Sequence, residues 1–371
     1  MRLLHLSDLH LGKNLGPYSL IEEQNHALGQ ILEIIRDKKI DLVMIAGDIF
    51  DTSIPPAKAL DLYSDFIEKI VFDYKKPVLA ISGNHDSPKR LDINRRFFRS
   101  NNYFLQGDID MKPLSFEDEF GPINFYLIPF ISLNKARNDL DSSIEDFSDI
   151  YHYLLKDLKY EGRNILITHA YARDMGEKNK EAYNDDQKPL SIGGSDFMDA
   201  SLFDKFDYVA LGHLHRAHFV RSEKIRYSGT FMKYSFDEIK GSKSVTIVDL
   251  KDKISIEKIP IKALRDIELR EGFFEDLLKS DPSDSYIKFI LKDDYIIENA
   301  MAKLKEKFDR AVSISYANRG VFDQAEDLDI NLENKDLIEL FDEFYTYKMG
   351  DSLSDEDLVF IRRVGLCDQE D

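Results

Sequence analysis

Five short polar clusters of Asp, Asn and His residues each follow an apolar stretch of strand length. In chain order they are Asp8-Leu9-His10, Gly47-Asp48-Ile49-Phe50-Asp51, Gly83-Asn84-His85-Asp86, Thr168-His169 and Gly212-His213-Leu214-His215. Ligand sites in α/β sheets form at the carboxyl ends of strands, so we expect the five clusters to converge in space. One histidine at a strand end is more often a hydrogen-bonded structural residue, but five clusters together are difficult to explain by structure alone.

The residue types in these clusters point to divalent metals. Asp, Asn and His offer oxygen and nitrogen ligands that suit Mn²⁺, Fe²⁺ or Zn²⁺ and do not suit Cu⁺ or an iron–sulfur cluster. Two such ions, with about four protein ligands each and one bridging carboxylate, would match this inventory. A pair roughly 3.5–4 Å apart holds a hydroxide and stabilises the attacking and leaving oxygens of an in-line displacement at phosphorus. Hydrolysis of a phosphate ester is therefore the predicted reaction class.

The segments before the clusters read as buried strands at 3–6, 42–46, 78–82, 165–168 and 209–211. Apolar residues at helical spacing over 59–71 predict a helix that ends before Pro77. Strand, helix and strand in this order indicate a parallel β/α layer. Residues 245–250 and 254–261 alternate more like antiparallel strands, and we expect them to form a second sheet that closes the first domain.

The pattern changes near residue 265. A strand at 286–291, a helix at 297–308 and a strand at 311–316 predict a small second domain. Beyond an acidic stretch at 323–334, an apolar helical stripe begins at Leu337, and Ser354 with Asp357 resembles a capping box that opens a last helix over 358–364. The predicted division is 1–264, 265–322 and 323–371.

Composition narrows the class of protein. A chain of 371 residues that is 43% hydrophobic can bury a substantial core, and its one cysteine, Cys367, cannot form an internal disulfide. No uncharged apolar run reaches about 18 residues, and Met1 leads directly into a strand-like stretch, so we expect a cytoplasmic protein with no membrane contact. The net charge of −19 is concentrated in residues 266–371, with 28 acidic against 13 basic side chains, whereas residues 1–265 carry 41 against 37. A phosphate-rich substrate is therefore not excluded.

The five clusters resemble the motifs of the calcineurin-like metallophosphoesterases, whose pattern is DxH, GDxxD, GNHD, H and GHxH. Further blocks, SDLHLGK, AGDIFD, GNHDS, FDYVALGHLHRAH, YSGTFMKYSF and IPIKALRDIEL, resemble the SbcD subfamily, the nuclease subunits of bacterial SbcCD complexes, which are related to the nuclease of the MRN repair complex. This resemblance covers nearly the whole chain. It implies a calcineurin-like metallophosphoesterase β-sandwich flanked by helices, with a smaller α+β capping domain at 265–322 and C-terminal helices.

The resemblance also implies roles for individual residues. It places Asp8, His10, Asp48 and His215 on one metal and Asp48, Asn84, His169 and His213 on a second, with Asp48 bridging, and Mn²⁺ is the expected ion at both. It implies that His85 protonates the departing oxygen, that Asp86 orients the His85 imidazole, and that Asp51 supports the site. For these three, turn capping or ordinary polar packing is the alternative. We assign the remaining histidines, His5, His26, His152 and His218, to packing or solvation.

A DNA-acting family needs a phosphate-binding surface beside the metals. Five basic residues follow the third cluster within eleven positions, namely Lys89, Arg90, Arg95, Arg96 and Arg99. Arginine forks match phosphate geometry, and such contacts hold a duplex without reading its sequence. We predict that these residues and Lys13 contact DNA, and a solvated helix face is the alternative.

The same resemblance implies partners. In that family, the C-terminal helices bind the coiled coil of the SbcC ATPase. The candidate contact residues in this chain are Leu337, Leu340, Phe341, Phe344, Tyr345 and Leu358. Folding of this stripe onto its own chain is the alternative. A homodimer through the large domain is also implied.

The leading functional hypothesis is an ATP-gated double-strand exonuclease and single-strand or hairpin endonuclease that acts in DNA repair, recombination and replication. The alternative is a small-molecule phosphodiesterase or phosphomonoesterase of the same superfamily, which would need neither the basic segment nor the capping domain. A non-catalytic scaffold would have lost a ligand or His85, and all eight positions are present.

Overall fold

The computed structural model describes residues 1–174, 197–251 and 253–317. Its strands are β1 (Arg2–Leu6), β2 (Asn14–Leu15), β3 (Tyr18–Ser19), β4 (Leu42–Ala46), β5 (Val78–Ile81), β6 (Tyr103–Gln106), β7 (Leu114–Asp118), β8 (Gly121–Ile128), β9 (Arg163–His169), β10 (Ala172–Arg173), β11 (Met198–Asp199), β12 (Tyr208–Gly212), β13 (His218–Val220), β14 (Ser222–Tyr227), β15 (Ser244–Leu250), β16 (Ile254–Pro260), β17 (Ile267–Gly272), β18 (Tyr286–Leu291) and β19 (Ala311–Tyr316). Its α-helices are α1 (Ile21–Asp37), α2 (Ala57–Glu68), α3 (Pro88–Leu91), α4 (Arg95–Ser100), α5 (Leu133–Asp139), α6 (Phe147–Leu155), α7 (Phe274–Lys279) and α8 (Ala300–Lys305).

Two six-stranded sheets form a sandwich. The first has the order β16-β15-β1-β4-β5-β6. Strands β1, β4, β5 and β6 are parallel to one another, β15 is antiparallel to β1, and β16 is antiparallel to β15. The second has the order β13-β14-β12-β9-β8-β7, and its central strands β8, β9, β12 and β14 are parallel. This arrangement confirms the expected β-sandwich.

The pleat of the central strands divides the core into layers. In β4, Leu42, Met44 and Ala46 face the space between the sheets, whereas Val43 and Ile45 pack with the α1 and α2 side chains. Strands buried on both faces carry continuous apolar runs, which is why the predicted strands contained no polar alternation. The second sheet is covered on its outer face by a separate cluster that includes Tyr151 of α6.

One sequence-based expectation about the sheets is wrong. Strands β15 and β16 are antiparallel as predicted, but they extend the first sheet beside β1 instead of forming a second one. Their burial agrees with this placement, since nearly all of β15 is buried between β1 and β16, and only β16 alternates as an edge strand does. The second sheet is built from β7–β9 and β12–β14.

Beyond residue 264, β17, β18 and β19 form a three-stranded sheet with α7 and α8. Helix α8 begins later than the predicted 297–308 because Asn299 before it adopts a left-handed backbone with φ of 55°, and it ends at Lys305. Residues up to Ser315 belong to one compact unit, so the boundary at 264 stays a prediction. The predicted helices at 337–345 and 358–364 lie outside the described residues.

Two further features of the helices can be compared with the sequence predictions. Helix α2 continues as a π-helical turn, Lys69–Asp73, which accounts for the predicted extent of 59–71. Among the helices that the structure describes, none combines the length and apolar character needed to cross a membrane.

Candidate metal centre

The loops after β1, β4 and β5 in the first sheet meet those after β9 and β12 in the second. The first two loops run side by side, since the Asp8 amide donates to the Gly47 carbonyl and the His10 amide donates to the Asp48 carbonyl, both at 3.0 Å. Strand β4 contacts both β9 and β12 across the sandwich. All five polar clusters therefore reach one place, as the sequence predicts.

Two motif glycines allow this close approach. A Cβ at Gly212 would lie within 3.0 Å of both the Ala46 carbonyl and the His169 ring, and one at Gly83 would overlap the Asp48 carboxylate. Because the obstructing atoms at Gly212 include backbone, a side chain there would force the two sheets apart. Close packing around the ligand residues therefore explains why the GNHD and GHxH motifs each begin with glycine.

One group of donors comes from the first and last clusters. Ligand atoms of Asp8, His10 and His215 lie within 4.8 Å of one another, and Nε2 of His10 lies 3.1 Å from Nε2 of His215. His215 Nδ1 lies 2.9 Å from a carboxylate oxygen of Glu238, so Nδ1 carries the hydrogen and Nε2 presents a lone pair. Two imidazole nitrogens and a carboxylate then face one small space.

A second group surrounds Asn84. Its Oδ1 lies 2.9 Å from His169 Nε2 and 3.1 Å from His213 Nδ1, and Asp48 Oδ2 lies 3.4 Å from the same His169 nitrogen. His169 Nδ1 lies 2.9 Å from the Ala46 carbonyl and donates to it. In the neutral ring, Nε2 is therefore an acceptor that faces two oxygen acceptors.

Burial sets the protonation of these groups. It lowers the pKa of His10 well below its ordinary value and the pKa of His213 to about 3, so both rings are neutral and ready to act as ligands. Burial raises the pKa of Asp8. The pKa of His169 is raised despite its burial, because the carboxylates of Asp48 and Asp8 favour the imidazolium.

Several of the predicted metal-ligand residues have an unusual backbone conformation. Positive φ angles occur at Asp8 (52°), His10 (43°), Asp48 (49°) and His213 (108°). Such conformations cost of order 1–3 kcal/mol each and cluster at functional sites.

These observations fit a pair of divalent cations. Nitrogen and oxygen ligand atoms of His, Asn and Asp lie 2.9–3.4 Å from one another, close enough for a cation to replace the hydrogens that otherwise join them. The ligand atoms also fall into two neighbouring groups. Asp48 lies between them, because its Oδ2 is 3.8 Å from His10 Nε2 in the first group and 3.4 Å from His169 Nε2 in the second. The seven predicted ligand residues are all present in these groups.

His85 lies at the open side of the site. Its side chain is 41% exposed, and its Nε2 is 4.0 Å from Asp48 Oδ2. Its Nδ1 lies 2.8 Å from the backbone carbonyl of Asp51 and donates to it. Nε2 is therefore left facing the solvent-accessible side of the ligand groups.

The predicted role of Asp86 is wrong. Its carboxylate does not orient the His85 ring but accepts hydrogen bonds from three backbone amides, those of Ile49, Phe50 and Gly83, at 2.9–3.0 Å. It thereby joins the second and third loops. Burial and the nearby Asp48 charge raise the pKa of Asp86 to about 6. The Asp51 carbonyl takes the orienting role instead.

The Asp51 carboxylate adjoins the site from another side. It accepts a hydrogen bond from Lys13 at 2.7 Å and lies 3.6 Å from His10 Nδ1. Lys13, a predicted DNA contact, is therefore paired with a carboxylate at the edge of the metal centre.

The basic segment occupies α3 and α4, directly after His85 and Asp86. Lys89, Arg90 and Arg96 are exposed. Arg95 lies 4.0 Å from Asp92, and Arg99 turns toward Asp110 at 3.9 Å. The structure thus exposes three of the five predicted phosphate contacts and pairs the other two.

Several supporting residues escaped the sequence analysis. Gln24 donates to the His10 carbonyl at 2.7 Å, Tyr234 donates to the Leu9 carbonyl, and Glu238 accepts from His215. Tyr234 lies inside the block YSGTFMKYSF and Glu238 lies just after it, so that block marked the region without identifying the contacts.

Comparisons with known proteins agree with this geometry. The sequence profile of the family described as calcineurin-like phosphoesterase matches residues 1–217. The SbcD nuclease subunit of the SbcCD complex of Staphylococcus epidermidis is 30% identical over 368 residues, which cover 95% of each chain.

Solved structures give weaker similarities. The protein TT1561 of Thermus thermophilus is 12% identical with a TM-score of 0.41, over 69% of this chain and 98% of that one. GAP50, the anchor in the inner membrane complex of Plasmodium, is 14% identical with a TM-score of 0.42, over 71% and 89%.

Replacing Asp48 should empty the metal centre. We expect Asp48→Ala to lose bound metal because its carboxylate adjoins both donor groups. Metal content after equilibration with Mn²⁺ and desalting, measured by mass spectrometry, checks this. Asp61→Ala, an exposed aspartate on α2, is the matched control. Full metal content in Asp48→Ala would contradict the bridging position.

Proposed function

This chain belongs to the calcineurin-like phosphoesterase family, and on that premise we propose that it is the metal-dependent nuclease subunit of an SbcCD-type complex. The observation that carries the proposal is the convergence of seven Asp, Asn and His ligands at one end of the sandwich, beside an exposed histidine. Similarity to a nuclease subunit along 95% of the chain extends the argument beyond the metallophosphoesterase portion. The reaction is hydrolysis of a phosphodiester.

The residues of the site would have different roles in this reaction. Asp8, His10, Asp48 and His215 would hold one cation and Asp48, Asn84, His169 and His213 the other. Two bound cations supply charge neutralisation at the phosphate and activation of water. In its imidazolium form, His85 would donate the Nε2 proton to the departing oxygen and become neutral, while Nδ1 keeps its hydrogen on the Asp51 carbonyl.

DNA would lie along the basic segment. Lys89, Arg90 and Arg96 are exposed next to the loop that carries His85, so a strand bound there would pass the metals. Contacts of this type fix phosphate position and not base sequence. Lys13 lies at the metal centre, where its pairing with Asp51 leaves it close to an incoming phosphate.

Mn²⁺ is the proposed ion, because oxygen and imidazole ligands accommodate it. The proposed partner is an SbcC-type ATPase that binds the C-terminal segment, including Leu337, Leu340, Phe341, Phe344, Tyr345 and Leu358. The proposed substrates are DNA ends and hairpins, in repair, recombination and replication. Residues 265–322, which include the three-stranded sheet of β17, β18 and β19, would form the capping domain.

We further propose a homodimer through the face formed by α2 and α4. These helices pack around Tyr103, whose hydroxyl lies 2.7 Å from that of Tyr63 and whose ring lies 5.4 Å from that of Phe98. On the same two helices, Leu60 of α2 is 48% exposed and Phe97 of α4 is 67% exposed. Large apolar side chains exposed on adjacent helices favour a protein interface.

His85→Ala should keep the metals and lose hydrolysis. Removing a general acid lowers the rate by about 10²- to 10⁴-fold. The assay uses labelled linear duplex and hairpin DNA with Mn²⁺, beside bis-p-nitrophenyl phosphate, and each reaction is repeated with a chelator. Metal content is measured on the same samples, and His152→Ala, an exposed histidine on α6, is the control.

The outcomes separate the hypotheses. Chelator-sensitive cleavage of DNA by the wild-type chain supports the nuclease. If only the small diester is cleaved, the assay is repeated with the SbcC-type partner, and continued inactivity on DNA would favour a small-molecule phosphodiesterase. An empty metal centre in His85→Ala would refute the leaving-group role.

Removing two exposed cations from the basic segment should weaken DNA binding. We expect Lys89→Ala/Arg96→Ala to reduce the slope of log affinity against log salt by about 1.8, since each phosphate contact contributes about 0.9. Fluorescence anisotropy with duplex DNA at several salt concentrations measures this. Lys253→Ala/Lys258→Ala is the control, because both lysines are exposed on the hairpin at the opposite edge of the first sheet. An unchanged slope would place the DNA elsewhere.

A charge on the α4 face should separate the proposed dimer. We expect the wild-type chain to be a dimer and Phe97→Asp to be a monomer, because a buried carboxylate would be unpaired. Light scattering after size exclusion gives the mass. Phe219→Asp, at a phenylalanine that is 50% exposed on β13, should stay dimeric. A monomeric wild-type chain at tens of micromolar would overturn the interface.

A further inference from the structure

Glu238 stands behind the metal centre, on a short 3-10 turn, Phe236–Glu238, that none of the five motifs includes. Its side chain is only 13% exposed. One carboxylate oxygen lies 2.9 Å from His215 Nδ1, and the other forms an ion pair with Lys243 at 2.5 Å. The carboxylate therefore connects a predicted metal ligand to a buried cation.

Lys243 holds this carboxylate from the other side. Its side chain is 12% exposed, and its Nζ donates to the His215 carbonyl at 3.0 Å and to the Thr230 hydroxyl at 2.6 Å. One lysine thus contacts both the backbone of His215 and the carboxylate that bonds to the His215 ring. The ring is fixed relative to its own loop.

We propose that Glu238 is a positioning residue for the metal ligand His215 and that Lys243 keeps the Glu238 carboxylate in place. This inference rests on the proposed metal centre. A carboxylate that accepts the Nδ1 hydrogen selects one tautomer and one ring orientation, so that Nε2 presents its lone pair to the cation. The Nε2 atoms of His215 and His10 are already 3.1 Å apart in that orientation.

The charges agree with this role. One Glu238 oxygen lies 2.9 Å from His215 Nδ1 and the other lies 2.5 Å from Lys243 Nζ, so each oxygen faces a hydrogen-bond donor. Because Lys243 balances its charge, Glu238 makes the imidazole a better electron donor without adding net charge beside the metals.

A positioning role and a bulk electrostatic role predict different behaviour. If Glu238 acts through the His215 ring, its removal has no further effect once that ring is absent. If it acts by its charge alone, the unpaired Lys243 cation would repel metal ions equally with or without the ring. The two contributions would then be additive.

The test measures Mn²⁺ binding to the metal-free, full-length chain by the electron paramagnetic resonance signal of free Mn²⁺. We expect Glu238→Ala to weaken binding about 10- to 100-fold, the usual cost of losing a partner of a metal-bound histidine. Glu238→Gln should bind more tightly than Glu238→Ala because its amide oxygen still accepts from Nδ1. Glu257→Ala removes an exposed carboxylate on β16 and should bind as the wild type does. Circular dichroism of each variant verifies folding.

The decisive comparison adds His215→Ala and the double variant. We expect His215→Ala/Glu238→Ala to bind Mn²⁺ as His215→Ala does. Additive losses, or an unchanged affinity in Glu238→Ala, would overturn the positioning role. Absence of Mn²⁺ binding to the wild-type chain would instead overturn the proposed metal centre, so the two failures are distinguishable.

Discussion

The site depends on how closely the two sheets approach at their carboxyl ends. Strand β12 ends at Gly212, where a Cβ would collide with the Ala46 carbonyl at the end of β4. At that separation the loops of one sheet supply Asp8, His10, Asp48 and Asn84, and the loops of the other supply His169, His213 and His215. Neither sheet alone carries a complete set of ligands. The sandwich core of aliphatic side chains between the sheets maintains this spacing.

Burying so many polar groups costs solvation free energy, and interactions within the protein must compensate for that cost. Part of the compensation comes from backbone amides, since Asp86 accepts three of them and the Asp8 carboxylate accepts the His213 amide at 3.0 Å. These bonds tie loops that are far apart in sequence. The remaining ligand nitrogens and oxygens lie within 3.4 Å of one another, where divalent cations would add positive charge. The same network explains why strained backbone at Asp8, His10 and Asp48 is tolerated.

Around the ligands, a second set of contacts fixes orientation. The Asp51 carbonyl holds His85, the Ala46 carbonyl holds His169, and Glu238 holds His215. In each case one ring nitrogen donates its hydrogen to an oxygen, so the other nitrogen is directed to the site. Two of the three partners are backbone carbonyls, and only Glu238 is a side chain. A substitution can therefore test only that partner directly.

The sequence by itself determined the types of the candidate ligand residues, their places after apolar runs and hence their expected convergence, because a strand buried on both faces is apolar and its polar residues begin where it ends. It also identified β15 and β16 as antiparallel. Only the tertiary structure decided which sheet those strands join, that Asp86 binds backbone amides instead of the His85 ring, and that Glu238 reaches His215. These outcomes depend on distances between segments many residues apart, which local periodicity and spacing do not encode. Short-range patterns specify each element, but the contacts that orient the ligands arise when the two sheets pack.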